Sequence, residues 1–260
     1  MTDKWQHTPL QWIPVKNLSV VWIKAQRPLN ERWAQYICDN FDPELYDPLV
    51  VTSKDGNGMY HVVRGQHRKT AVQMKWGDEE QVPCFVMEIT DPARAADLLV
   101  RSNTQVKPMA PVYRFKCSVT AKYPDQVAIH HICKATGYKV EQGCSDGMIA
   151  AVGALEWVYR KCGPAVLRST LSIIRQTWGY DHSATNSGLL RAYGTLLTQH
   201  PHINTKRVTE VMDRMTPAKL QAQGKSEAEV HGSSITDGIV RIIIKLYNHG
   251  LTQKHRLQPK

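Results

Sequence analysis

The segment Val62-Val63-Arg64-Gly65-Gln66-His67-Arg68-Lys69-Thr70-Ala71-Val72 gathers the residue types best suited to holding an anion. A β-prone run ends at a glycine, and a helical pattern opens at once with Gln66, His67, Arg68 and Lys69 in its first turn. Cations there oppose the helix dipole, which favours negative charge at an N-terminus. The conflict disappears if an oxyanion sits over the helix start, taking hydrogen bonds from the unpaired backbone N–H groups and from the His, Arg and Lys side chains. Gly65 lets such a ligand approach the backbone closely. The spacing leaves a second reading open, a plain strand-to-helix turn whose Arg and Lys point to water.

Other constellations carry less chemistry. His130-His131-x-Cys133 and His200-Pro201-His202 have metal-like residue types without the three or four ligands of a closed site, so no metal is expected. Asp181-His182-Ser183 reads as a turn before a helix starting near Asn186 or Ser187, because neighbours in sequence rarely face each other as a triad. Neither a G-x-x-x-x-G-K-[ST] loop nor a G-x-G-x-x-G fingerprint occurs. Glu88, Asp91 and Asp97 are the carboxylates nearest the cationic segment in sequence and read as surface charge. No catalytic residue is assigned, and the sequence leaves open whether the protein is an enzyme.

The elements that must position this segment alternate between strand and helix. Trp12–Val15 and Val20–Ile23 are short β-prone runs, and Leu29–Asn40 predicts a helix with Trp33, Ile37 and Phe41 along one face. Leu49–Val51 and Met59–Val63 flank Asp55-Gly56-Asn57-Gly58, a hairpin signal. Gln66–Trp76 predicts a helix closed by Gly77; a strand over Val82–Ile89 and a helix from Pro92 towards Ser102 follow. Beyond Pro108 helical periodicity takes over: Met148, Val152, Leu155 and Tyr159; Leu189, Leu190, Tyr193, Leu196 and Leu197; Val208, Val211, Met212 and Met215. Ile235, Ile239, Ile242, Ile243 and Leu246 predict a last helix buried over much of its circumference, and Thr252–Lys260 reads as a frayed basic tail. The expected architecture is α+β, a mixed α/β domain over residues 1–107 followed by a basic all-helical lobe over 108–260, with the boundary between Asn103 and Pro124.

With 260 residues, 33 Lys and Arg against 23 Asp and Glu, and 42% apolar content, the chain has a formal charge of +10 and the core-forming capacity of a folded protein. Residues 1–130 carry 16 basic and 14 acidic side chains, a net of +2, whereas residues 131–260 carry 17 and 9, a net of +8. Such a lobe suits a polyanion, with Arg168, Arg175, Arg191, Lys206, Arg207 and Arg214 as candidate DNA contacts. Arg160 and Lys161 add to the same charge. Asp125–Val140 resembles the opening of a helix-turn-helix but is not followed by an evident recognition helix. The longest apolar run, around Ile242–Ile244, is far short of the about 18 residues of a membrane span. Six cysteines without a C-x-x-C pair fit reduced thiols, and the first residues lack a secretory pattern, so a cytoplasmic protein is expected.

Arg27-Pro28-Leu29, Phe41-Asp42, Asp47-Pro48-Leu49-Val50-Val51, Asp55-Gly56, Val62–Arg68 with Ala71, and Val82-Pro83 follow one another in an order that resembles the ParB/sulfiredoxin-like superfamily. The likeness covers about residues 10–115 and is greatest to the GQHR branch of ParB-like nuclease domains found in phages and mobile elements. It implies a phosphate or nucleotide site at Arg27, Arg64, Gly65, Gln66, His67, Arg68 and Lys69, with CTP or ATP as the nucleotide. The cysteine with which sulfiredoxins react is replaced by Gln66, so that activity is not expected. A second ParB box falls on Ser102–Val106: Asn103 matches and Lys107 lies beside the arginine position, but Ser102 replaces the metal-binding glutamate, leaving magnesium without its usual ligand. By this resemblance the protein is a DNA-associated accessory factor in replication, segregation or recombination control, with a protein partner in a nucleoprotein complex. The alternatives are a ParB-like nuclease or nucleotide-dependent phosphotransferase, and a protein-interaction module whose site has decayed.

Overall fold

The computed structural model describes residues 10–20, 28–89, 91–104 and 108–258. The chain divides into two compact units, Met1–Pro108 and Met109–Lys260. In the first, strands β1 (Leu10–Pro14), β2 (Leu18–Ser19), β3 (Leu49–Thr52), β4 (Tyr60–Arg64) and β5 (Gln81–Met87) form a sheet of order β1-β5-β3-β4-β2. The β3 strand is parallel to β5 and antiparallel to β4, β1 is antiparallel to β5, and β2 is parallel to β4. Period-two alternation decides which face each side chain covers. Leu49, Val51, Val62, Val82 and Cys84 join one apolar cluster, while Val63, with Val50 and Met87 beside it, joins another with Ile89 and Ala95. Helices α1 (Glu31–Asp39) and α2 (Gln66–Trp76) pack together, and α2 adds Val72 to the first cluster; α3 (Pro92–Thr104) adds Ala95 to the second.

The expected hairpin forms because Asp55 organises its turn. Its Oδ1 accepts hydrogen bonds from the amides of Asn57 and Met59 at 2.9 and 2.8 Å. Helix α1 begins where expected, with Asn30 Oδ1 accepting from Trp33 N–H at 3.0 Å, but it buries a different face. Ala34 and Cys38 are inside, while Trp33 is 52% exposed and stacks on Tyr36 at 5.1 Å. Close packing of α1 on α2 admits the small side chains and turns the large ones out. Of the strand expected over Val20–Ile23, Val21, Trp22 and Ile23 lie outside the described residues.

The second unit contains α4 (Pro111–Thr120), α5 (Pro124–Ala135), α6 (Val152–Cys162), α7 (Pro164–Trp178), α8 (Ser187–Gln199), α9 (Thr205–Met212), α10 (Pro217–His231) and α11 (Ile235–Asn248). These helices share one core that includes Ile129, Leu155, Leu171, Leu190, Tyr193, Leu196, Ile239 and Ile243. A short parallel ladder of β6 (Lys139–Val140) and β7 (Met148–Ile149) interrupts the helices, so Met148 belongs to a strand and not to the helical face predicted for it. Side-chain oxygens of Asn186, Asn204, Thr216 and Ser234 cap α8, α9, α10 and α11.

One expectation needs correction here, and helices α4, α7 and α10 are not among those the sequence periodicity singles out. Helix α10, whose polar sequence carries little apolar periodicity, is positioned by contact with α11. The C-terminal tail is not frayed over its described length: Leu257 N–H donates to Asn248 Oδ1 and Asn248 Nδ2 donates to Leu257 O, both at 2.8 Å. Among the described residues no helix is long and apolar enough to cross a membrane.

Candidate functional site

The junction β4–Gly65–α2 sits where the sequence places it, and local sterics explain its shape. Gly65 has φ +105° and ψ 20°, left-handed backbone that favours glycine, and it caps α2 without a side-chain hydrogen bond. A Cβ at this position would come within 2.5 Å of Leu49 Cδ2. Strand β3 therefore fills the space behind the glycine and leaves the helix start without a side-chain cap.

The four residues of the first turn divide by partner. Gln66, His67 and Lys69 are buried. His67 Nε2 accepts a hydrogen bond from Asn30 N–H at 3.0 Å, which assigns a neutral ring with its proton on Nδ1. Lys69 Nζ donates to Gln73 Oε1 at 2.7 Å, and Gln73 Nε2 donates to Asp78 Oδ1 at 2.6 Å. Burial pulls the Lys69 ammonium below the ordinary lysine value, with the Asp78 charge acting the other way.

Arg68 folds back over the junction. Its Nη2 lies 3.3 Å from the Cβ position of Gly65, and its guanidinium carbon is 5.9 Å from the centre of the Tyr46 ring. Nη1 donates to the Asp47 carbonyl and stands 3.5 Å from Asp47 Oδ2. The Asp47 side chain is 79% exposed, so the pair belongs to the solvent-screened class worth about 0–1 kcal/mol. Burial lowers the Arg68 pKa most, Asp47 and Tyr46 oppose that shift, and Arg64 adds to it. Arg64 itself is exposed at the end of β4. Two neighbouring cations thus stand at the positive end of a helix, and among the described residues the one carboxylate paired with Arg68 is that of Asp47, an arrangement that an anion would stabilise.

Arg27 and Lys107 lie outside the described residues, and Asn103 falls in the last turn of α3. Glu88, Asp91 and Asp97 are exposed; Asp91 accepts from Ala93 N–H at 2.9 Å and Asp97 pairs with Arg101 at 3.7 Å. Among the described residues no three His, Cys, Asp or Glu side chains group as metal ligands would. Asn30, Tyr46 and Asp47 were missed by sequence reasoning. They reach the junction through tertiary contact, and a capping Asn or a turn Asp carries no local sign of a distant partner.

The basic residues of the second unit also divide. Arg207 donates from Nε to Tyr247 O at 2.9 Å and from Nη2 to His249 O at 2.7 Å, satisfying carbonyls at the end of α11. Arg175 donates to Thr136 O at 3.1 Å and lies 4.9 Å from the centre of the Tyr180 ring. Arg191 stacks on Trp157 at 5.5 Å. Arg168, Lys206 and Arg214 are exposed, whereas Arg160 pairs with Asp125 at 2.8 Å. Helix α5 leads through Gly137 into β6, so no recognition helix follows it directly. Asp181 Oδ1 accepts from Ser183 N–H at 2.8 Å, as a turn before α8 requires.

The fold defines an α+β chain, a mixed five-stranded unit followed by a helical one. No family model and no curated protein matches it. Among solved structures it is similar to the C-terminally truncated chromosome-partitioning protein ParB from Caulobacter crescentus complexed with CTP-gamma-S. The TM-score is 0.42 at 16% identity, covering 63% of this chain and 98% of that one.

Proposed function

We propose that this chain is a DNA-associated accessory protein of a phage or mobile element, acting in replication, segregation or recombination control. In this reading residues 1–107 form a ParB/sulfiredoxin-like domain that holds a phosphate group, that of CTP or ATP, and residues 108–260 form a basic helical domain that engages DNA. One observation carries the first half: the Arg68 guanidinium packed over Gly65 at the start of α2, beside Arg64 and held by one exposed carboxylate. The order of the sequence blocks from Arg27 to Pro83 supports it, as does the +8 charge of residues 131–260. Within the basic domain Arg168, Lys206 and Arg214 are the contacts whose exposure suits phosphate binding, with Arg175, Arg191 and Arg207 more constrained by their packing.

Calorimetric titration with CTP and ATP tests the nucleotide half. Binding to the wild type and a loss of about tenfold or more in Arg68→Ala is the expected result; equal affinity in both proteins removes the junction as the site. For DNA, the logarithm of the binding constant should fall linearly with the logarithm of salt concentration. Absence of binding at low salt would end that half of the proposal.

A second reading, a protein-interaction module without a ligand at the junction, is favoured by the inward engagement of His67 with Asn30 and of Lys69 with Gln73. A melting temperature unchanged by CTP, ATP and DNA would select it, because a ligand bound only by the folded state raises that temperature.

A further inference from the structure

Four aromatic side chains from separate segments of the first unit surround a cavity of about 220 Å³. Trp12 comes from β1, Phe41 and Tyr46 from the connection between α1 and β3, and Trp76 from the end of α2. Phe41 stands at 89° to Trp76, with ring centres 4.7 Å apart, and is tilted by 40° to Tyr46 at 5.6 Å. Three adjoining rings set at such angles make walls and not one flat stack. Trp12 adds a fourth ring from the strand at the end of the sheet and is 62% exposed. The volume lies below the roughly 300 Å³ at which sites for drug-sized ligands begin, so it suits a group about as large as one side chain.

The cavity is negative in a chain of formal charge +10. Among the described residues that line it, Glu80 is the charged one, and no described cation pairs with its carboxylate. The neighbouring Glu79 is already taken by Lys16 at 2.6 Å. Aromatic rings add to this charge, because their faces carry the negative part of the ring quadrupole and attract cations. Two of the four rings do so within the protein. Lys75 Nζ lies 5.4 Å from the centre of the Trp76 ring, and the Arg68 guanidinium carbon lies 5.9 Å from that of Tyr46. Neither cation lines the cavity, so its described walls combine aromatic rings and a carboxylate without a positive charge.

We infer that this cavity binds a quaternary ammonium group, with the rings of Trp12, Phe41, Tyr46 and Trp76 around its methyl groups and the exposed Glu80 carboxylate balancing its charge. Mainly apolar walls favour this cation over an unmodified ammonium, whose three N–H donors would lose their hydration for one carboxylate. A trimethylammonium has no donor to leave unmatched. Choline-type small molecules and trimethylated lysine side chains present the same group. Tyr46 also touches Arg68, but the inference does not rest on the phosphate reading of the Gly65 junction.

Calorimetric titration of the full chain with choline, and with the neutral alcohol in which carbon replaces the choline nitrogen, tests the inference. Choline should bind about tenfold or more tightly than the neutral analogue, and Trp12→Ala and Glu80→Gln should each weaken it by about fivefold or more. Glu80 is exposed, so its variant keeps the test valid if the change on β1 impairs folding. Lysine capped at both ends and trimethylated on its side chain separates the two sources: tighter binding than choline assigns a protein side chain, and weaker binding a free small molecule. The inference is overturned by no binding of either quaternary compound up to roughly 10 mM, by the neutral analogue binding as tightly as choline, by capped unmethylated lysine matching its trimethylated form, or by an affinity that both substitutions leave unchanged.

Discussion

At the scale of single residues, Gly65 and Arg68 decide the candidate site. Gly65 answers two demands at once, a positive φ and the proximity of Leu49 Cδ2. Gly65→Ala should therefore lower stability by about 2–4 kcal/mol, read as a reduced midpoint of urea denaturation. A cost below about 0.5 kcal/mol would show that the junction relaxes freely. The glycine, the arginine and the anion chemistry were legible in sequence because they are consecutive. Asn30 on His67 and Asp47 on Arg68 were not, since each pair is separated by 37 or 21 residues and only folding brings its members together.

At the scale of elements, the α10–α11 contact shows how packing overrides propensity. A Cβ on Gly224 would overlap Ile239 Cγ1, and one on Gly238 would overlap the Gly224 carbonyl oxygen, so the two backbones touch. Helix propensity alone favours alanine over glycine by about 1 kcal/mol. That gain is available at Gly153, exposed on α6 with nothing within 4 Å of a Cβ. Chemical denaturation should show Gly153→Ala stabilised by up to about 1 kcal/mol and Gly238→Ala destabilised by about 3 kcal/mol or more. The same contact explains why α10 is placed only by folding: one glycine, Gly224, and a polar face carry no periodic signal, and the partner helix supplies the order.

At the scale of the whole molecule, the distribution of thiols and charges gives separate readouts of the two units. Burial pushes the thiols of Cys84 in the first unit and Cys133 in the second up to about 12. Cys117 and Cys144 are exposed. A thiol reagent at neutral pH should label Cys117 and Cys144 in the native protein and reach Cys84 and Cys133 only on unfolding, as peptide mapping would show. Because those two folded values lie above the ordinary thiol value of 9.0, folding opposes ionisation. Their contribution to stability is complete below about pH 9 and declines as the pH rises from there towards 12. Rapid native labelling of Cys84 or Cys133 would contradict the packing of its unit.

The sequence by itself determined the α+β order, the hairpin around Asp55–Gly58, the glycine-led start of α2, and the concentration of positive charge beyond residue 130, because each depends on neighbours along the chain or on composition alone. Tertiary structure alone decided which face of α1 is buried, where α10 lies, how the tail is held, and which cations are engaged. Arg168, Lys206 and Arg214 look equivalent to Arg175 and Arg207 as letters. In the fold the last two hydrogen-bond carbonyls 39 and 40 residues away, and no local pattern records such a partner.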